Sequence, residues 1–259
     1  MKNIILLLIT LLFWSCQPNP QQPEEENYIP ETLIQKAVET HGGLAKWRSY
    51  HQLSFDVLTG SEENINRETI LTDLNSRYEK ISGEGYQMGY DGTNYWYKLE
   101  EEGKEPNTKF MINLNFYFFA MPFVLADPGV NEENLGRKTL NGKEYEVVKA
   151  TFDPGTGVAP DDQYILYLDP ETYQLEILLY SVTYFNKENA TQYNALHYRE
   201  WQEADGLKVP KTIVRHYWDA ENQTLGDSRG EKSFENVGFS AERAALSTFS
   251  APEHSKVVE

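Results

Sequence analysis

The sequence predicts a mainly β protein with a few helices, an α+β class in which one antiparallel sheet provides most of the structure. From Gln52 onward, short runs such as HQLSFDVLTG alternate apolar and polar residues, which is the period of a half-buried strand. Turn signals at Asp91-Gly92, Asn141-Gly142 and Asp205-Gly206 separate these runs. About ten or eleven strands in hairpin order indicate an antiparallel meander rather than βαβ units.

Two short helices are predicted before the first strand. In IPETLIQKAVETHGG, four apolar residues recur at helical spacing, namely Leu33, Ile34, Ala37 and Val38. Because glycine is costly inside a helix, the first helix is expected to end near His41, with Gly42 as a left-handed cap. The second helix is expected over LAKWR, residues 44–48.

One apolar segment, FMINLNFYFFAMPFVLADPG at residues 110–129, interrupts the strand pattern. Pro122 does not fit a central strand or a regular helix interior. The segment is therefore predicted to form a helix or an irregular hairpin across one face of the sheet. Two roles remain open for it: a plug of the core, or the wall or lid of an apolar cavity.

Large aromatic residues occur on both faces of several predicted strands. Tyrosine alone occurs 17 times, and Tyr95, Trp96 and Tyr97 are consecutive. A sheet with one solvated face would instead show a polar side. We therefore expect a strongly curved sheet wrapped around helices, with an incomplete barrel mouth left for a ligand. Ordinary core packing remains the alternative for any single tyrosine. The predicted ligand-lining residues are Trp47, Tyr95, Tyr97, Phe116, Phe119 and Phe123.

The N-terminus carries the features of a lipoprotein signal. Lys2 is followed by an apolar run at residues 4–13, too short to span a bilayer but suited to a secretory signal. The pattern Leu12-Phe13-Trp14-Ser15-Cys16 then resembles a bacterial lipobox. This resemblance implies cleavage before Cys16, the only cysteine, and lipidation of its sulfur. The alternative is a structural cysteine in a cytoplasmic protein.

Four regions are expected along the chain. Residues 1–15 form the signal peptide, and residues 16–27, rich in Pro, Gln and Glu, form a flexible acidic tether. Residues 28–250 form a single domain, and residues 251–259 a polar tail. Gln17 is not the aspartate that retains lipoproteins at the inner membrane, which favours the outer membrane, with its face left open.

Charge and motifs exclude several function classes. A net charge of −17 argues against nucleic acid as a partner, and no cofactor is expected. No HExxH or GxSxG motif supports metal-dependent or nucleophilic catalysis, so no enzyme is predicted. Weak metal candidates are His197 and His216, predicted on neighbouring strands, and the loop residues Asp153, Asp161 and Asp162.

Several motifs in sequence order carry a resemblance: HGGLAKW, FYFFAMPFVLADPG, YILYLDPETYQL, DGLKVP and FENVGF. Together with Cys16, this order resembles the superfamily of outer-membrane lipoprotein carriers and receptors (LolA/LolB-like), and more narrowly an uncharacterised family of bacterial lipoproteins. The resemblance implies an unclosed β-barrel with helices on its concave face and an apolar cavity that takes acyl chains. FAMPFVL is a candidate for the protruding apolar loop of the receptors.

The expected function is a lipid-anchored envelope protein that binds an apolar or amphipathic ligand. That ligand would be an acyl chain, a lipid or the lipid moiety of a lipoprotein. Two alternatives stay open. One is a structural or interaction module with a filled barrel. The other is an envelope hydrolase, for which Glu200 and Glu203 beside Trp201 are the nearest candidates.

Overall fold

The computed structural model describes residues 30–61 and 63–258. The predicted signal peptide, Cys16 and the tether lie outside the described residues. The helices are α1 (Leu33–Thr40), α2 (Leu44–Arg48), α3 (Thr108–Met111) and α4 (Leu114–Phe119). The strands are β1 (Gln52–Ser61), β2 (Asn64–Asp73), β3 (Glu79–Gly83), β4 (Tyr86–Tyr90), β5 (Tyr95–Leu99), β6 (Val130–Leu140), β7 (Lys143–Phe152), β8 (Tyr164–Leu168), β9 (Leu175–Tyr180), β10 (Asn194–Ala204), β11 (Leu207–Asp219), β12 (Thr224–Ser240) and β13 (Lys256–Val258).

The strands of the described region form one antiparallel sheet of 13 strands that does not close. Their order is β13-β5-β4-β3-β2-β1-β12-β11-β10-β9-β8-β7-β6, so β13 and β6 are the free edges. The predicted mainly β class and antiparallel meander are therefore confirmed. The predicted strand count was too low. In particular, Lys256–Val258 pair with Tyr95–Tyr97, so the expected polar tail contributes an edge strand.

The edge strand β6 is protected against pairing with another sheet. It carries the charged residues Glu132, Glu133, Arg137 and Lys138, and its pairing with β7 shifts at a bulge between Asn134 and Gly136. Charged side chains and bulges both hinder edge-to-edge association. These two features explain how the unclosed sheet can leave the long strand β6 unpaired on one side.

The helices pack on the concave face, where the segment at residues 110–129 fills the centre. Phe119 of α4 stacks on Phe55 of β1, with ring centroids 4.4 Å apart. Phe123 begins a short 3-10 helix, Phe123–Ala126, and stacks on Trp47 of α2 at 4.6 Å. On the side that faces the sheet, the segment is therefore a core plug. FAMPFVL is buried and does not protrude, because its apolar side chains pack against the sheet.

The convex face of β7–β10 has a second, smaller core. Its buried members include Tyr145, Val147, Ile177 and Leu179, and Trp218 and Leu225 of the β11–β12 hairpin pack against them. At the tip of this hairpin, the backbone N–H of Leu225 donates to Oδ1 of Asn141, 3.3 Å away. The expectation that both faces of the sheet are partly covered is thus met by the long hairpin folding over the outside.

Helix α1 is fixed at both ends by contacts far away in sequence. At its start, Thr32 and Gln35 form a capping box, and the Glu132 carboxylate accepts from the N–H of Leu33 at 2.9 Å. After the helix, Gly42 has a φ of 112° and packs so closely on the β10–β11 turn that a Cβ there would lie 2.7 Å from the Gly206 carbonyl oxygen. The predicted left-handed glycine at this position is confirmed.

Replacing Glu132 by alanine is expected to lower the free energy of unfolding by about 1 kcal/mol. The substitution removes an acceptor from the N-terminus of α1 and breaks its link to β6. Urea unfolding followed by tryptophan fluorescence measures the change. Glu133→Ala, on the exposed neighbour, is the matched control and is expected to stay within about 0.5 kcal/mol of the parent protein. Equal effects of the two substitutions would contradict the capping role.

Candidate ligand-binding site

A cavity of about 390 Å³, termed the apolar cavity, lies across the gap between the two edges of the sheet. Tyr90 and Tyr95 of β4 and β5 line one side. Val130, Phe152 and Tyr164, from β6, β7 and β8, line the other side. The helical segment around α3 and α4 forms the wall between them. The volume falls within the usual range for small-molecule sites, roughly 300–1,000 Å³.

The lining of the apolar cavity is rich in aromatic rings. Nine aromatic side chains contribute: Tyr90, Tyr95, Phe110, Tyr117, Phe118, Phe152, Tyr164, Tyr180 and Tyr184. Tyr90 and Tyr95 stack with centroids 4.5 Å apart, and Phe118 packs on Tyr180 at 4.7 Å. Rings held in this way present a fixed apolar surface, which lowers the entropy cost of binding a flexible chain.

Several tyrosine hydroxyls in the wall of the apolar cavity make no hydrogen bond to another described residue, among them those of Tyr164 and Tyr180. Burial raises the pKa of these two phenols above the ordinary value, so both stay neutral at physiological pH. A neutral phenol donates and accepts a hydrogen bond, which suits the polar part of an amphipathic molecule.

The charged residues in the wall of the apolar cavity are Arg77, Lys109, Asp127 and Asp162. Nη2 of Arg77 contacts Oδ2 of Asp127 at 2.5 Å. The Asp162 carboxylate accepts from the backbone N–H and the hydroxyl of Thr183, at 2.6 and 2.7 Å. Burial raises the pKa of Asp162. Arg77, Asp127 and Asp162 are thus each paired with another protein group.

Of the six predicted lining residues, the structure places Tyr95 in the wall of the apolar cavity. Trp47 lines a neighbouring pocket, together with Arg48 and Arg77.

The other four residues are packed into the core and are not part of the cavity wall: Tyr97, Phe116, Phe119 and Phe123. Tyr97 faces Met88 across the β4–β5 ladder and is covered by the chain end. The three phenylalanines point from the helical segment into the sheet, where each is at most 1% exposed. This placement corrects the sequence-based assignment: the helical segment forms the cavity wall with its opposite side.

Sequence reasoning did not find Phe152, Tyr164 and Tyr180. In the structure Tyr164 pairs with Tyr180 across the β8–β9 hairpin, after a register shift between Tyr167 and Leu168 that counting back from the turn at residues 169–172 does not predict. That both rings face a cavity depends in addition on the distant helical segment.

The two candidate metal-binding histidines lie on the neighbouring strands β10 and β11. The ring centroids of His197 and His216 are 6.2 Å apart on the convex face. Burial lowers the pKa of His197, and the nearby His216 lowers it further. Across residues 30–61 and 63–258, however, no three His, Cys, Asp or Glu side chains are placed to hold a metal ion.

The three candidate loop aspartates are each bonded to protein groups. Asp161 pairs with Nζ of Lys187 at 2.8 Å, and Asp153 accepts from Nδ2 of Asn131 at 2.8 Å. Asp162 is held by Thr183 as described above. These bonds explain the presence of the three aspartates without a metal ion, because each carboxylate holds a turn or a loop in place.

In the region that the structure covers, no helix has the length and apolar character needed to cross a bilayer. The unclosed antiparallel sheet, plugged by short helices and open to a cavity at its edges, defines a LolA-like half-barrel. A LolA superfamily protein from Nitrosomonas europaea has this fold, with a TM-score of 0.52 at 10% identity; the match covers 85% of this chain and 96% of that one. A DUF1329 family protein from Desulfovibrio piger also reaches 0.52, at 12% identity, over 84% and 95% of the two chains.

The family assignment is narrower. Residues 2–207 match the family described as "Family of unknown function (DUF6503)", and the chain belongs to this family. No curated protein matches the sequence. The resemblance to LolA-like proteins and to an uncharacterised family, drawn from the sequence motifs, is therefore confirmed.

Proposed function

We propose that this protein is a non-enzymatic binding protein of the cell envelope that holds the apolar part of a lipid or other amphipathic molecule in the apolar cavity. The observation that carries this proposal is an aromatic-lined space of about 390 Å³ that the plug of the barrel leaves unfilled. Each buried methylene of a ligand contributes about 0.8 kcal/mol, which is about fourfold in affinity.

The arrangement of the cavity supports reversible capture. It lies between the two edges of the sheet and not at the filled centre of the barrel, so a ligand can reach it without displacing the core. The hydroxyls of Tyr164 and Tyr180 offer hydrogen bonds beside apolar ring surface. Such a mixture binds molecules with both apolar and polar parts more readily than purely apolar ones.

The proposed location rests on the sequence. A signal-like apolar run followed by Cys16 supports lipidation of the sulfur and anchoring in the outer membrane, with residues 16–27 as a tether. A tethered half-barrel would collect its ligand close to the membrane that supplies it.

Native mass spectrometry of protein purified from membranes tests the function and the anchor together. We expect a covalent acyl adduct on Cys16 and, in addition, a non-covalently bound lipid. Ala159→Phe, in the β7–β8 loop that lines the cavity, is expected to fill the space and to remove most of the non-covalent lipid while keeping the covalent adduct. The loop position spares the core, so folding is expected to be unchanged.

Ala241→Phe, on an exposed turn, is the matched control and is expected to retain the lipid. Absence of bound lipid in the parent protein, with no uptake of a fluorescent fatty acid, would contradict the binding function. A stoichiometric protein partner recovered in its place would favour the interaction module. A polypeptide mass without an acyl adduct would contradict the anchor alone.

A further inference from the structure

A second space, termed the polar pocket, adjoins the apolar cavity. Its volume is about 430 Å³, and its wall includes Trp47, Arg48, Tyr50, Asn75, Arg77 and Asp127. Arg77, Tyr117, Asp127 and Thr156 belong to the walls of both spaces. The Arg77–Asp127 ion pair therefore lies at the junction, with apolar surface on one side and polar surface on the other.

The polar pocket has the opposite charge to the protein as a whole. Two arginines, Arg48 and Arg77, and one aspartate, Asp127, are its charged residues among those described. The whole chain has a net charge of −17. A local excess of cationic groups in so acidic a chain favours an anion at this position.

Arg77 is held in a fixed position. Its Nη1 donates to the carbonyl of Leu74, its Nη2 contacts Asp127, and its guanidinium lies over the ring of Phe116, 5.0 Å from the centroid. Its side chain is only 19% exposed. Arg48 is exposed, and its Nη2 donates a long hydrogen bond, 3.5 Å, to the carbonyl oxygen of Ala126. A fixed guanidinium beside an adaptable one is a common way to bind carboxylate or phosphate oxygens.

We infer that the ligand carries an anionic, oxygen-bearing head group that binds at Arg48 and Arg77 in the polar pocket while its acyl chain lies in the apolar cavity. This inference rests on the proposed function, which requires only the acyl chain. The polar pocket adjoins the apolar cavity in the same way that the head group of such a molecule adjoins its acyl chain. Asp127 holds Arg77 while the pocket is empty and competes with the ligand for the same guanidinium.

The experiment compares three ligands with the same chain length on mature protein stripped of lipid: palmitate, hexadecanol and 16-carbon lysophosphatidic acid. Displacement of a fluorescent fatty acid gives each affinity. Both anions are expected to bind about tenfold more tightly than the neutral alcohol. The tighter of the two anions identifies the head group as carboxylate or phosphate.

Two substitutions assign the effect to the polar pocket. Arg48→Gln is expected to weaken the anions by about tenfold and to leave hexadecanol unchanged. Asp127→Asn is expected to strengthen the anions several-fold, because it removes the competitor for Arg77. Arg48 is replaced in preference to Arg77, which also supports Leu74 and Phe116. Arg199→Gln, an equal change of charge on an exposed part of β10, is the control and is expected to change nothing.

Equal binding of palmitate, lysophosphatidic acid and hexadecanol would overturn the inference and leave the proposed function standing. The same holds if Arg48→Gln and Arg199→Gln weaken the anions equally, since the effect would then come from overall charge. Weaker anion binding by Asp127→Asn would overturn the competing role of Asp127. Failure of all three ligands to bind would instead contradict the proposed function itself.

Discussion

Replacing Phe119 by alanine is expected to lower the free energy of unfolding by about 3–5 kcal/mol. The ring is fully buried, stacks on Phe55 at 4.4 Å and contacts Phe234 at 5.2 Å. These partners lie on the neighbouring strands β1 and β12, whose ladder keeps them from closing over the empty space. Loss of the ring therefore removes apolar burial and leaves a cavity at the centre of the barrel.

Urea unfolding with parallel far-UV circular dichroism measures this change. Phe185→Ala is the matched control, because Phe185 is 64% exposed and its loss is expected to cost no more than about 0.5 kcal/mol. The pair also separates two roles for Phe119. If Phe119 contacted the ligand instead, its replacement would lower the affinity for lipid and leave the free energy of unfolding unchanged. A stability loss below about 1 kcal/mol, together with weaker lipid binding, would contradict the core role.

Local chemistry accounts for the part of the fold that the sequence predicts. Alternating apolar residues define the strands, and the hairpin turns need left-handed residues. Asn141 and Gly142 have φ values of 49° and 81°, and Asp205 and Gly206 have 50° and 79°. Asn-Gly and Asp-Gly are the pairs that adopt this geometry most readily. Strand β13 is different: its three residues are too few to show a period, and its partner is the free edge of β5.

The candidate site was harder to predict because cavity and core use the same residue types. Tyr95 and Tyr97 lie two residues apart on the same face of β5, yet Tyr95 lines the apolar cavity and Tyr97 is covered. The difference arises from where the helical segment at residues 110–129 and strand β13 lie. Neither position follows from periodicity, because both depend on long-range packing.

Two buried titratable groups are expected to give opposite pH dependences of stability. His41 is fully buried beside Trp201, and neither of its ring nitrogens is bonded to a described residue. Its pKa is lowered to about 3, mainly by burial and further by the charge of Lys208. Glu79 is also fully buried, and burial raises its pKa to about 7, with Glu68 as the nearby like charge. The ordinary values are 6.5 and 4.5.

The direction of each effect follows from which state binds the proton. Between pH 6.5 and about 3, the unfolded chain is protonated at His41 while the folded chain is not, so acid lowers stability. Between about pH 7 and 4.5, the folded chain is protonated at Glu79 while the unfolded chain is not, so acid raises stability. In the shared window the two contributions oppose each other and flatten the profile of the parent protein.

Single substitutions are expected to separate these contributions. From pH 6.5 to 5, His41→Leu should gain about 2 kcal/mol relative to the parent protein, and Glu79→Gln should lose about as much. The constant cost of each substitution cancels, because only the change with pH is compared. Urea unfolding at fixed ionic strength gives the two slopes. Parallel profiles for His41→Leu and the parent protein would show that His41 titrates in the folded chain as it does in the unfolded one.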